Sequence, residues 1–102
     1  MNIDKIEVSE NDISFVLYPK EETILIGEKK YKIDSQLIEK LIRIISVWDN
    51  EYYDSSYMDG NIFEVVVYSN NKKTIKRGIR GIPKNYEAFS SLVRGMYYGR
   101  WF

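Results

Sequence analysis

Hydrophobic and polar residues alternate along the first third of the chain with the two-residue period of strands that are half buried in a sheet. Residues 3–8 (IDKIEV) and 13–18 (ISFVLY) are predicted to be two such strands, joined by a polar turn. Residues 23–26 (TILI) and 30–33 (KYKI) predict a second pair of short strands around Gly27. Because the turns between these strands are short, the pattern favours antiparallel pairing.

The pattern changes to a helical period after Asp34 and Ser35, and either residue can cap the start of a helix. The apolar residues that recur at helical spacing are Leu37, Ile38, Leu41, Ile42, Ile45 and Trp48. Residues 35–48 are therefore predicted to form a helix. Ile44 and Val47 widen its apolar side beyond one stripe, which predicts burial against a sheet.

A loop over residues 49–60 is predicted to lead into a hairpin with strands at 61–69 and 72–77. Asn70 and Asn71 make a good two-residue turn, because asparagine tolerates a positive φ. Gly78 and Gly81 are expected to interrupt the return strand. A second helix is predicted after Pro83, where the apolar residues at helical spacing are Tyr86, Phe89, Leu92 or Val93, and Met96.

The predicted order is β-β-β-β-α-β-β-α, an α+β fold in which an antiparallel sheet carries two helices on one face. The 102 residues suit a single domain over 1–102 with one hydrophobic core. No apolar run reaches the length of a membrane span, and the N-terminus lacks the apolar centre of a signal peptide. With no cysteine in the chain, we expect a cytoplasmic protein.

The residue types needed for common catalytic sites are missing. The chain has no histidine and no cysteine, which removes the commonest general base, the commonest metal ligand and the thiol nucleophile. It has no glycine-rich phosphate loop, and the acidic segment that begins at Asp49 fails most positions of a calcium-binding loop. We therefore predict a protein that is not an enzyme and that has no cofactor and no metal site.

The charges are segregated along the chain, although the net charge is zero. Residues 1–64 carry seven net negative charges and residues 65–102 carry seven net positive charges. The stretch WDNEYYDSSYMDGNIFE, residues 48–64, joins carboxylates to tyrosines. Such a mixture suits docking into a basic cleft, because rings supply buried area while acids steer the approach. The predicted partner-binding residues are Asp49, Glu51, Tyr52, Tyr53, Asp54, Tyr57 and Asp59. The alternative is a solvated crossover between helix and strand.

The succession of helix, WDNEYYDSSYMDG, NIFEVVVYSNNKKTIKRG and IPKNYEAFSSLV resembles the layout of small bacterial toxin-immunity proteins. It is also similar to the layout of emfourin, a protein inhibitor of thermolysin-like metalloproteases. The resemblance implies an inhibitory binding protein. We therefore expect a bacterial or phage protein that neutralises a protein partner, with a toxin-immunity protein that blocks a nuclease cleft as the leading hypothesis. A phage anti-defence inhibitor is the neighbouring hypothesis.

The basic residues around the second hairpin strand support a nucleic-acid-binding module as an alternative function. The candidate phosphate-binding residues in the segment 72–84 are Lys73, Lys76, Arg77, Arg80 and Lys84. The competing interpretation is an edge strand whose lysines discourage aggregation. The aromatic C-terminus, MYYGRWF, is predicted to cover the core, and the alternative for it is a patch through which the protein forms a homo-oligomer.

Overall fold

The computed structural model describes residues 2–53, 62–79, 83 and 85–99. Within them lie seven strands and two helices. In chain order they are β1 (Lys5–Glu10), β2 (Ile13–Tyr18), β3 (Thr23–Ile26), β4 (Lys29–Lys32), α1 (Ser35–Ser46), β5 (Glu51–Tyr53), β6 (Ile62–Ser69), β7 (Lys72–Ile79) and α2 (Tyr86–Tyr97).

The strands form one sheet in the order β4-β3-β2-β1-β6-β7-β5. Six strands pair antiparallel, and the three-residue strand β5 pairs parallel with β7 at the edge. The predicted α+β fold, its antiparallel sheet and the order of its main elements are confirmed. The pairing of β1 with β6 joins the N-terminal strands to the hairpin β6–β7, although the two strands lie far apart in the sequence.

Both helices lie on one face of the sheet, which we call the covered face. Alternate residues of the strands, such as Ile6, Leu17 and Val65, are fully buried there against Leu41 of α1 and Phe89 of α2. Where α1 ends and α2 begins, four aromatic rings pack together, with centroid distances from 4.9 to 6.3 Å; they are Trp48, Phe63, Tyr86 and Phe89. Burial of this apolar surface is the main favourable contribution to folding.

Local sequence signals set most of the element boundaries. Asp34 caps α1, and its carboxylate accepts a hydrogen bond of 2.9 Å from the Gln36 amide. Asn70 and Asn71 both have positive φ, as the predicted tight turn requires. The helix α1 ends at Ser46, two residues earlier than predicted, and Trp48 beyond it turns into the core.

Two boundary predictions at the far edge of the sheet are wrong. Residues 49–60 were expected to be a loop, but Glu51–Tyr53 form β5. The reason is that the edge of β7 offers free backbone groups, and the Arg77 amide donates a 2.9 Å bond to the Asn50 carbonyl. Gly78 does not end β7, because the strand continues to Ile79, with Gly78 buried beside Phe63.

Candidate functional site

The face of the sheet opposite the helices is uncovered in the part of the chain that the structure describes, and we call it the open face. The strand residues that alternate with the buried residues of the covered face point to it. Their register places most of them in three rows that run across the strands, and a shorter row begins at the exposed Ile62. Each row has its own chemistry, which makes this face the strongest candidate for a functional surface.

The first row alternates lysine with tyrosine, and we call it the lysine–tyrosine row. From β4 to β7 it consists of Lys32, Thr23, Tyr18, Lys5, Tyr68 and Lys73. This order follows the strand register. Ile6 pairs with Leu17, which brings the preceding Lys5 beside Tyr18. Lys32 and Lys73 at the two ends are exposed, and the members between them are partly exposed. The row contains no carboxylate.

The lysines of this face lie against the tyrosine rings. The Lys5 Nζ atom is 4.6 Å from the centroid of Tyr68, and Lys73 Nζ is 5.8 Å from the same centroid. On β4, Lys30 places its Nζ 4.6 Å from the centroid of Tyr18. These are cation–π distances, so positive charge and aromatic surface are interleaved across the sheet.

The Tyr68 ring is further fixed by a hydrogen bond. Its hydroxyl donates to a carboxylate oxygen of Glu7 at 2.7 Å. This bond is the main cause that raises the pKa of Tyr68 above its ordinary value, and desolvation adds to it. The ring is therefore held in place by a bond at its tip and by lysines beside it.

The second and third rows have different chemistry. The second row is mainly apolar: Lys30 on β4 is followed by Leu25, Val16, Glu7, Val66 and Ile75. The third includes Ser14, Ser9, Glu64, Arg77 and Glu51. Between these rows lies an open depression of about 410 Å³, lined in part by Glu7 and Glu64. An anionic partner would be repelled there, so the lysine–tyrosine row is the part of the open face that attracts one.

The predicted acidic partner-binding segment falls partly outside the described residues. Asp54, Tyr57 and Asp59 lie there, and of Tyr52 and Tyr53 the structure gives the backbone, in strand β5. The described carboxylates of the segment, Asp49 and Glu51, are both exposed. Glu51 forms an ion pair with Arg77 at 3.3 Å, in which both side chains are more than half exposed. Such a pair is weak.

The predicted basic hairpin is divided between the two faces of the sheet. Lys73 and Arg77 lie on the open face, whereas Lys76 lies on the covered face opposite Val65. The Lys76 amino group donates to the carbonyls of Ile45 at 2.6 Å and of Trp48 at 2.8 Å, at the end of α1. Arg80 and Lys84 lie outside the described residues.

Burial lowers the pKa of Lys76, and the charge of Asp49 opposes that shift. The cation nevertheless lies where the carbonyls at a helix C-terminus favour positive charge. Its surroundings are those of a residue that joins β7 to α1. The structure therefore does not gather Lys73, Lys76 and Arg77 into one phosphate-binding surface.

The sequence-based prediction included Lys73 and missed the other members of the row, namely Lys5, Tyr18, Thr23, Lys32 and Tyr68. Their alternation with buried residues gives the face on which each lies. These residues become neighbours through the pairing of β1 with β6 and through the register of every strand pair. The sequence pattern of a single strand predicts neither the pairing nor the register. Tyr18 and Tyr68, each at or near the end of a strand, were the available signal.

The described residues lack two further kinds of site, namely metal clusters and buried polar groups without a partner. They contain no group of three acidic residues that could hold a metal ion, and every buried side-chain nitrogen or oxygen among them has a hydrogen-bond partner. No described helix is long and apolar enough to cross a membrane. The chain matches no family model, and comparisons with curated proteins and with solved structures gave no match.

Proposed function

We propose that this protein is a binding protein that docks an anionic partner on the open face of its sheet. The observation that carries the proposal is the lysine–tyrosine row, in which Lys5, Lys32 and Lys73 alternate with Tyr18 and Tyr68 across six strands. Both helices lie on the other face, so this surface is accessible in the described part of the chain.

The row combines the two contributions that a docking surface needs. Tyrosine rings supply large contact area with little loss of side-chain freedom. Lysine ammonium groups steer an anion toward the row and fix its register. Because the rings and the lysine stems lie on paired strands, the surface is already ordered before a partner arrives, which lowers the entropy lost on binding.

The nearby acids leave the row positive. Asp4, the neighbour of Lys5, pairs with Lys20 at 2.8 Å, and Lys20 lowers the pKa of that carboxyl. Glu7 accepts the hydrogen bond from Tyr68. Glu21 lies 3.3 Å from Lys30, a lysine outside the row. Glu7 stays negative, because a bond from a neutral hydroxyl does not remove its charge. None of the three row lysines forms an ion pair with a carboxylate of the described residues, so the row remains positive overall although the net charge of the whole chain is zero.

Retention on immobilised heparin, a polyanion without aromatic bases, tests this proposal. We expect the wild type to bind at low salt and the triple variant Lys5→Ala, Lys32→Ala, Lys73→Ala to pass through. The matched control removes three exposed cations elsewhere, through Lys29→Ala, Lys40→Ala and Arg43→Ala. It changes the net charge equally and should stay bound. Equal loss in both variants, or no retention of the wild type, would contradict the proposal.

An inhibitory protein that neutralises a protein partner is the second candidate function. The observation that favours it is the exposure of Asp49 and Glu51 on and beside the edge strand β5, where the acidic segment begins. A basic partner such as a nuclease toxin could reach both carboxylates from outside the sheet. Within this proposal, toxin immunity and phage anti-defence differ in the target and not in the docking chemistry.

The test of this second function is co-purification from the native host. The comparison is between the wild type and a variant with Asp49→Asn, Glu51→Gln, Asp54→Asn and Asp59→Asn. Loss of a basic co-purifying protein only in the variant would support an inhibitor that docks through the acidic segment. The same partner held with undiminished affinity by the variant would remove that idea.

A further inference from the structure

We propose that the open face binds single-stranded nucleic acid, with two bases stacked on Tyr18 and Tyr68 and the phosphates held by the lysines of the row. This inference rests on the proposed docking of an anionic partner and names its chemical class. It uses residues on β1, β2, β4 and β6 together with Lys73 of β7, and so differs from a surface confined to the hairpin β6–β7.

The spacing of the two rings suits neighbouring or next-neighbouring bases. Tyr18 on β2 and Tyr68 on β6 flank the central strand β1, two inter-strand spacings apart, which is about 10 Å. Lys5 lies between them in the row. A phosphate that links bases on the two rings would therefore pass over the Lys5 ammonium group.

The contacts around the rings prepare them for stacking. Glu7 holds the tip of the Tyr68 ring through the 2.7 Å hydrogen bond, so the ring keeps its place on the sheet. Lys5 lies over the Tyr68 ring and Lys30 over the Tyr18 ring, each at 4.6 Å. These cations show that the ring faces are reachable from solvent. When a base takes the ring face, each ammonium group moves to the adjacent phosphate and keeps an electrostatic partner.

The alternation of ring and cation favours a single strand over other anions. Bases in a duplex are already stacked on one another, and the face of a seven-stranded sheet is too broad to enter a groove. An acidic protein would engage the lysines and use the rings as contact area, but it would not supply a planar base to stack on each ring beside each phosphate. The row crosses six strands, about 24 Å at 4.8 Å per spacing, which accommodates a site of about four nucleotides.

The apolar and acidic rows set the direction of the bound strand. Glu7 lies in the second row, next to the lysine–tyrosine row, and Glu64 lies in the third row. A polyanion that followed a strand would meet both carboxylates. The nucleic-acid backbone therefore runs across the strands, along the lysine–tyrosine row.

Fluorescence anisotropy with two labelled twelve-mers tests the inference. One is oligothymidylate, and the other is an abasic strand that has the same phosphates without bases. We expect the wild type to bind oligothymidylate at least about tenfold more tightly, because stacking on two rings adds to the phosphate contacts. With three phosphates neutralised, the logarithm of the binding constant should fall with the logarithm of salt concentration with a slope of about −2.

The double variant Tyr18→Leu, Tyr68→Leu should bind both strands equally and keep its retention on heparin. The matched control Tyr31→Leu removes an exposed tyrosine on the other side of the sheet, since Tyr31 pairs with the buried Ile24. It should leave the tenfold preference intact. Circular dichroism of each variant checks that the fold is retained.

The outcomes separate this inference from the proposed function. If the wild type binds heparin but binds the two strands equally, the stacking inference is overturned while anionic docking stands. If it binds heparin and neither strand, the partner is another kind of anion, such as an acidic protein, and the inference is again overturned. If it binds none of the three, both proposals fail.

Discussion

The two faces of this sheet are made by the same strands and solve different problems. On the covered face, β6 places Phe63 and Val65 in a core that both helices close. On the open face, the same strand places Val66 and Tyr68 among lysines and glutamates. Because side chains alternate along a strand, seven strands can build a stable core and a chemically distinct surface at once. Stability should depend on one face and binding on the other.

The largest expected effect comes from truncating the aromatic cluster on the covered face. Phe63 is 1% exposed and contacts the rings of Trp48, Tyr86 and Phe89. We expect Phe63→Ala to lower the free energy of unfolding by about 3–5 kcal/mol, from lost burial and the cavity that remains. Urea denaturation followed by circular dichroism measures it. A loss below about 1 kcal/mol would show that this cluster is not part of a packed core.

The next effect concerns the buried pair on the covered face. Glu10 is 2% exposed, and its carboxylate accepts a 2.5 Å hydrogen bond from the Tyr86 hydroxyl. We expect Tyr86→Phe to lower the free energy of unfolding by about 1–3 kcal/mol, because the buried carboxylate loses a donor. Glu10→Gln keeps an acceptor for the hydroxyl and is the matched comparison. A Tyr86→Phe variant as stable as the wild type would contradict the assigned bond.

The same pair predicts a loss of stability in alkaline solution. Burial first, and then the bond to Glu10, raise the pKa of Tyr86 well above its ordinary value of 10.0. Above pH 10 the unfolded chain releases this proton while the folded protein retains it, so the free energy of unfolding falls as pH rises. Between pH 9 and pH 11 the urea midpoint should fall further in the wild type than in Tyr86→Phe. Equal falls would exclude Tyr86 as a contributor.

Two lysines of β7 allow a direct comparison of the faces. Lys76 donates to the carbonyls at the end of α1, whereas Lys73 lies on the open face near Tyr68. We expect Lys76→Met to lower the free energy of unfolding by about 1–2 kcal/mol, since two charge-assisted hydrogen bonds are lost. Lys73→Met should change it by less than about 0.5 kcal/mol and should weaken retention on heparin. A larger loss of stability in Lys73→Met, together with weaker heparin retention in Lys76→Met, would contradict the roles assigned to the two faces.

The rings of the row should also have only a small effect on stability. Tyr18→Leu and Tyr68→Leu each keep an apolar side chain on a half-buried sheet surface, so each should alter the free energy of unfolding by about 1 kcal/mol or less. Their effect on binding of oligothymidylate should be much larger. A ring substitution that unfolds the protein would show that the open face also carries essential packing.

Sequence patterns predicted the covered face far better than the open face. Ile6, Leu17 and Val65 were assigned to strands because their alternation is local, and Leu41 and Phe89 were assigned to helices by their spacing. The hairpin turn at Asn70 and Asn71 was likewise local chemistry. Strand β5 escaped prediction because its three residues pair only with the free edge of β7, which exists only after β6 and β7 have formed.

The open face depends on contacts between distant parts of the chain. Lys5 and Tyr68 are neighbours because β1 pairs with β6, and Lys32 joins their row through two further strand pairs. A charge count along the sequence grouped Lys73, Lys76 and Arg77 as one basic patch, but the two-residue period of the strand places Lys76 on the opposite face. A surface of this kind is a property of the sheet register and not of any single segment.

The central claim is that anions dock on the lysine–tyrosine row and not on the helical side of the molecule. The most direct measurement is a titration of the ¹⁵N-labelled protein with a heparin hexasaccharide, followed by amide chemical shifts. We expect the amide chemical shifts of Lys5, Tyr18, Tyr68 and Lys73 to change and to saturate together, with little change in α1 and α2. Shift changes that cluster on the helices, or none at saturating hexasaccharide, would contradict it.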